Sequence, residues 1–71
     1  MDKEVRLHLG AILTTATKLA EEYKGNAEAN RDYGWLSGWY AGRGAVYGVV
    51  AKWVQEVLDL QDAADTADEV A

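Results

Sequence analysis

The residues best suited to acid–base or metal chemistry are one histidine, His8, and a row of acids, Asp59, Asp62, Asp65 and Asp68. Their spacing builds no site. A catalytic histidine needs a nucleophile or carboxylate set against it, and the chain carries no nucleophile–base motif, P-loop or dinucleotide fingerprint. Acids recurring every three residues lack the EF-hand ligand pattern and read as a solvated acidic face. With no cysteine and one histidine, thiolate and multi-histidine zinc sites have no ligands. Gly42-Arg43-Gly44 lies inside a helix-period run rather than between a strand and a helix, so it is not a phosphate loop. The sequence therefore predicts a chain that is not an enzyme and uses no cofactor or metal.

Recognition chemistry is better represented. Tyr33, Trp35, Trp39, Tyr40, Tyr47 and Trp53 crowd into one segment with Arg43 among them. Trp, Tyr and Arg are the side chains enriched at interface hot spots. The same aromatics also suit the core of a helical assembly. A nucleic-acid stacking platform needs interleaved basic residues, and only Arg31, Arg43 and Lys52 lie nearby. Seven basic residues against twelve acids give a formal net charge of −5, which argues against binding a polyanion.

These groups must be positioned by helices, because proline is absent and the apolar spacing is helical. Helix 1 is predicted from Lys3 to Lys24, with Val5, Leu9, Ile12, Ala16, Leu19 and Tyr23 forming a heptad seam that Leu13 and Ala20 widen. Gly25 suits the residue after a helix end and Asn26 suits an N-cap, so helix 2 is expected to begin at Ala27. A start near Asp32, with residues 25–31 as a loop, is the alternative. Helix 2 then runs to about Leu60 with two adjacent seams. One is Leu36, Tyr40, Arg43, Tyr47, Val50, Val54 and Val57; the other is Trp35, Trp39, Gly42, Val46, Val49, Trp53 and Leu60. Helix 1 is wide enough to cover one of them, so the other needs a second partner. In a hairpin turning near residues 25–31, Arg43 should lie level with Leu13 and Thr14. No acid stands there, which leaves it a tyrosine face, a carbonyl, an acid on another chain, or water.

Glycine is the most unusual part of the pattern. Gly34, Gly38, Gly42, Gly44 and Gly48 lie in helix 2, where each is about 1 kcal/mol worse than alanine. The loss is offset if another helix approaches closely. Gly34, Gly38, Ala41, Ala45 and Gly48 form a smooth strip, and with Gly42 they are the expected positions of close helix packing. Residues 1–61 form the hairpin domain, and 62–71 are an acidic C-terminal tail. Thr66 and Glu69 have capping-box spacing with little chain after them.

A chain of 71 residues buries little surface, and without cysteine its remaining stabiliser is oligomerisation. Residues 33–54 are long enough to span a bilayer, but Arg43 at the centre would cost about 2.5–3.5 kcal/mol. The start Met1-Asp2-Lys3-Glu4 has no signal-peptide pattern, and a cytoplasmic location is expected.

The run from Tyr40 to Trp53, YAGRGAVYGVVAKW, following a short acid-rich first helix, resembles small helical-hairpin accessory proteins of actinobacterial phages. The resemblance covers about residues 16–58 and lies in general character, being Ala/Gly-rich, acidic, Trp/Tyr-bearing and proline-poor. It implies a host-directed or self-associating protein and transfers no functional residue. The expected fold is all-α: an antiparallel two-helix hairpin with a longer second helix, dimerising into a four-helix bundle. The expected role is a non-catalytic, self-associating interaction module, a homodimer with an unidentified protein partner. The expected interface comprises Trp35, Leu36, Trp39, Tyr40, Arg43, Val46, Tyr47, Val50, Trp53 and Val54. The alternatives are a membrane-active, holin-like protein and a small ligand-binding bundle.

Overall fold

The computed structural model describes the backbone of residues 1–70 and the side chains of residues 1–67. It contains two helices, α1 (Lys3–Ala29) and α2 (Gly34–Val70), packed as an antiparallel hairpin. Asp2 caps α1: its carboxylate accepts the backbone N–H of Glu4 at 2.8 Å. This satisfies one of the donors that every helix start leaves without a partner.

The turn lies later than the Gly25-Asn26 signal predicts. Both residues are inside α1, and no residue among those described has a positive φ. Packing explains the difference. Ala27 is buried against α2, and its carbonyl accepts the Ser37 hydroxyl at 2.8 Å. Those contacts form only if α1 continues past Gly25, and they outweigh a glycine's weak preference to stop a helix. Asn30 then ends α1, its backbone N–H and side-chain Nδ2 both donating to the Asn26 carbonyl. Tyr33 N–H donates to the Asn30 carbonyl at 2.9 Å, and Ser37 N–H to the Tyr33 carbonyl opens α2. The expected start at Ala27 is wrong. The alternative start near Asp32 falls within two residues of the observed one at Gly34, but its loop over residues 25–31 shrinks to a four-residue connection because α1 runs on to Ala29.

The later turn resets the register. Tyr23 meets Gly44 in the half of the hairpin nearer the turn, and Arg6 pairs with Asp62 at 2.6 Å toward its open end. Arg43 therefore lies level with the Tyr23 region rather than with Leu13 and Thr14. On α1 the inward positions are Leu9, Leu13, Ala16, Ala20, Tyr23 and Ala27, spaced alternately by four and three, with Leu19 half-buried at the edge. Val5 and Ile12, expected in this seam, are about half exposed. On α2 the inward positions are Ser37, Tyr40, Gly44, Tyr47, Ala51, Val54, Leu58 and Gln61. Tyr40, Tyr47 and Val54 are shared with the expected seam. Arg43 and Val57 give way to the next residue along, Gly44 and Leu58, while Leu36 and Val50 remain half-buried at the edge.

The seam is thin. Ala16, Ala27 and Leu58 are the buried apolar residues, and no large side chain among those described is fully enclosed. The chain exposes 5385 Å², against about 4,400 Å² for a compact monomer of its mass. Its radius of gyration is 16.3 Å, against about 11 Å for a compact chain of this length.

Residues 62–70 continue α2, with Thr66 Oγ1 donating to the Asp62 carbonyl and Gln61 to the Asp65 carboxylate. The side chains of Asp68 and Glu69 and all of Ala71 lie outside the described residues.

Two glycine substitutions test this fold. A methyl group at Gly25 would meet nothing within 4 Å, so Gly25→Ala should raise stability by up to about 1 kcal/mol. At Gly44 a Cβ would lie 3.3 Å from Tyr23 Cβ and 3.4 Å from the Ala20 carbonyl oxygen. Gly44→Leu should destabilise by about 1–3 kcal/mol. Chemical denaturation measures both; a loss of stability in Gly25→Ala would return the helix end to that glycine.

Candidate interaction surface

Tyr23 is the one large aromatic that α1 sends into the seam, and α2 builds a cage around it. Its ring stacks on Tyr47 with centroids 5.7 Å apart and an interplanar angle of 2°. Trp39 meets it edge-on at 6.4 Å, and Tyr40 is tilted against it at 6.1 Å. Trp39 and Tyr40 also meet edge-on at 5.1 Å. Gly44 lets the two helices approach closely beneath this cage, because even a Cβ there would press on the base of Tyr23. The five-glycine pattern thus contains one within-chain close approach, at a residue outside the expected strip. At Gly34, Gly38, Gly42 and Gly48 an added Cβ would meet nothing within 4 Å, and Ala41 and Ala45 are exposed. Ala41, Ala45 and Gly48 instead edge an open groove whose far bank carries Glu21, Lys24 and Glu28.

Arg43 lies on the outer side of the cage. Its guanidinium carbon sits 4.1 Å from the Trp39 ring centroid, one turn back along α2. This is cation–π geometry, worth about 0.5–1 kcal/mol at an exposed site. The aromatic face it finds belongs to a tryptophan of its own helix. The contact folds the arginine toward the start of α2 and holds its charge above the aromatic surface.

The expected interface residues divide in two. Tyr40, Tyr47 and Val54 point toward α1, with Leu36 and Val50 half-buried beside them. Trp35, Trp39, Val46 and Trp53 are exposed, from 45% for Trp39 to 78% for Trp35. Val49 and Leu60 extend the same face. At helical spacing these residues form one stripe running along α2 largely opposite its inner seam, with Trp39 reaching round to meet Tyr23 of α1. Isolated exposed apolar residues are ordinary, whereas a continuous stripe of tryptophan and large aliphatic side chains is not. The stripe is notched where Gly42 leaves a gap between Trp39, Arg43 and Val46, a shallow open depression floored by Gly38 and Tyr47.

No cluster of reactive groups forms among the described residues. His8 is exposed on α1. Asp59 accepts from Gln55, Asp65 from Gln61, and Asp62 pairs with Arg6. Among the described residues no group of three or more potential ligands could hold a metal ion. What the arrangement presents is an exposed apolar stripe with one cation, Arg43, held over the Trp39 ring.

Truncating Tyr23 should collapse the cage. Tyr23→Ala is expected to cost about 2–3 kcal/mol, less than full burial would imply because the ring is half-buried. Tyr23→Phe keeps the stacking and should cost under about 1 kcal/mol. Denaturant titration followed by near-ultraviolet circular dichroism reads both; equal losses would mean that the hydroxyl, not the ring, holds the seam.

The chain matches no protein-family model, and no curated protein and no solved structure is similar to it at a significant level.

Proposed function

We propose that this chain is a non-catalytic, self-associating interaction module: a homodimer whose two hairpins join through α2 to make a four-helix bundle. The observation that carries the reading is the exposed stripe of Trp35, Trp39, Val46, Val49, Trp53 and Leu60 on a helix whose opposite side is already used by α1. The surface beyond that of a compact monomer is about 1,000 Å², close to the roughly 800 Å² per partner that standard interfaces bury. A second copy is the partner always available to a chain this small. The assembled bundle would still present the acidic outer faces and the small-residue groove to another macromolecule, as an adaptor or inhibitor. The finer readings, a phage-type accessory protein and a cytoplasmic location, rest on composition.

Two other readings have less support. No helix among the described residues is long and apolar enough to cross a membrane, which weighs against a holin-like role. The depression bounded by Trp39, Gly42 and Tyr47 is the feature a ligand-binding bundle would need, but it is open to solvent in the single chain and suits an inserted side chain better than an enclosed ligand.

Trp39→Ala and Trp53→Ala should each weaken association by about 2 kcal/mol or more, roughly a thirtyfold rise in Kd. Lys18→Ala, exposed on α1, should leave it unchanged. Light scattering across a dilution series is the measurement. A parent chain that stays monomeric and folded throughout, or tryptophan variants with the parent's oligomer size, would remove this reading.

A further inference from the structure

We infer that the second copy lies antiparallel along α2, its Trp53 seated in the notch at Gly42 and its Glu56 beside Arg43. The inference rests on the self-association proposed above and fixes its geometry. Three observations carry it.

The first is shape. The stripe reads Trp35, Trp39, Gly42, Val46, Val49, Trp53, Glu56 and Leu60, alternating by four and three as a second heptad seam must. Laid antiparallel on itself about a two-fold axis between Val46 and Val49, it brings the gap at Gly42 level with Trp53 of the other copy. The same registration sets Trp35 level with Leu60. Because the two-fold exchanges both copies, each tryptophan fills the other's notch, and large faces small at both sites. An added Cβ at Gly42 would meet nothing within 4 Å, so the hairpin itself gives this glycine no purpose.

The second is charge. The stripe carries one acid, Glu56, and two cations flank it: Arg43 on its α1-facing edge and Lys52 on the other, one turn before Glu56. Arg43 and the other copy's Lys52 thus come level but on opposite edges. In the antiparallel registration Glu56 comes level with Trp39, and the Arg43 guanidinium already lies over that ring. The pair therefore forms twice, at the two ends of the valine centre. A parallel arrangement sets Arg43 against Arg43 and Glu56 against Glu56, which repel. Sliding the antiparallel pair by one heptad sets Glu56 against Val46 and Trp35 against Ala67. Sliding it the other way carries Leu60 past the start of the facing α2.

The third is area. Apart from Trp39, which also meets Tyr23, the stripe is free of α1, and the surface the elongated chain exposes beyond a compact monomer is large enough to supply one partner's share of a standard interface. One dimer contact would account for it.

Sedimentation equilibrium on the full chain tests the geometry with four variants: Gly42→Leu, Arg43→Glu, Glu56→Arg, and the double charge exchange. Gly42→Leu fills the notch while improving helix propensity, so it should raise the dimer Kd at least about tenfold with no loss of helix signal by circular dichroism. Each charge reversal should raise Kd about tenfold, and the double exchange should return it to within about threefold of the parent. A Gly42→Leu chain that dimerises as tightly as the parent overturns the inference, as does a double exchange no better than the single reversals. In either case a dimeric parent leaves self-association standing. A parent that remains monomeric at about 100 μM overturns both, since that is far above a stable dimer's Kd.

Discussion

A pair of helices has one seam, and a seam covers about a third of each helix's circumference. That limit governs this chain. The apolar arc of α2 is wider than α1 can reach, so satisfying one side leaves the other in water. The inner contact interleaves small side chains, Ala16, Ala20 and Ala27 on α1 and Gly44 and Ala51 on α2, with larger ones such as Leu13, Tyr23, Tyr47 and Leu58. Small residues let two backbones approach closely and let one large ring, Tyr23, be held between them. The bulk of the tryptophan and valine is left facing outward.

The same constraint explains why the hairpin is so open. Three buried apolar residues among those described, the largest a leucine, leave the inner seam short of a full hydrophobic core. Surface ion pairs do not close the gap. Arg6–Asp62 is about half exposed and contributes about 0–1 kcal/mol. Burying the outer stripe would supply what the inner seam lacks, at about 25 cal/mol for each Å² removed from water. On this account folding and association are one event, as in other chains below the size at which a core suffices.

Much of this is legible in the sequence. The heptad spacing yields two helices, the hairpin and the two seams on the second helix, because apolar periodicity reports directly on helical faces. It does not say which of two neighbouring residues points inward. Counting by fours and threes from Leu36 lands on Arg43 and Val57 rather than Gly44 and Leu58, and the same count from Val5 puts Val5 and Ile12 inside. At Gly44 the close helix pair takes the smaller of two neighbours, and at Leu58 the larger one faces inward; single-helix periodicity encodes neither choice. The turn is misplaced for a related reason: Gly25-Asn26 is a local stop signal, whereas the burial of Ala27 and the Ser37 hydrogen bond are tertiary and have no local signature. The Arg43–Trp39 contact sits at i, i+4 spacing, so a search for aromatics one turn before the arginine finds it.

The most direct test of the coupling between folding and association is the concentration dependence of thermal unfolding. A chain stabilised by a second copy must melt at a higher temperature when more of it is present, by mass action alone. The account predicts a Tm that climbs steadily with protein concentration over about a hundredfold range, with a single cooperative transition at each concentration. A cooperative transition at one fixed Tm across that range would show that the hairpin is stable by itself, and would contradict the claim that its outer stripe is the missing half of its core.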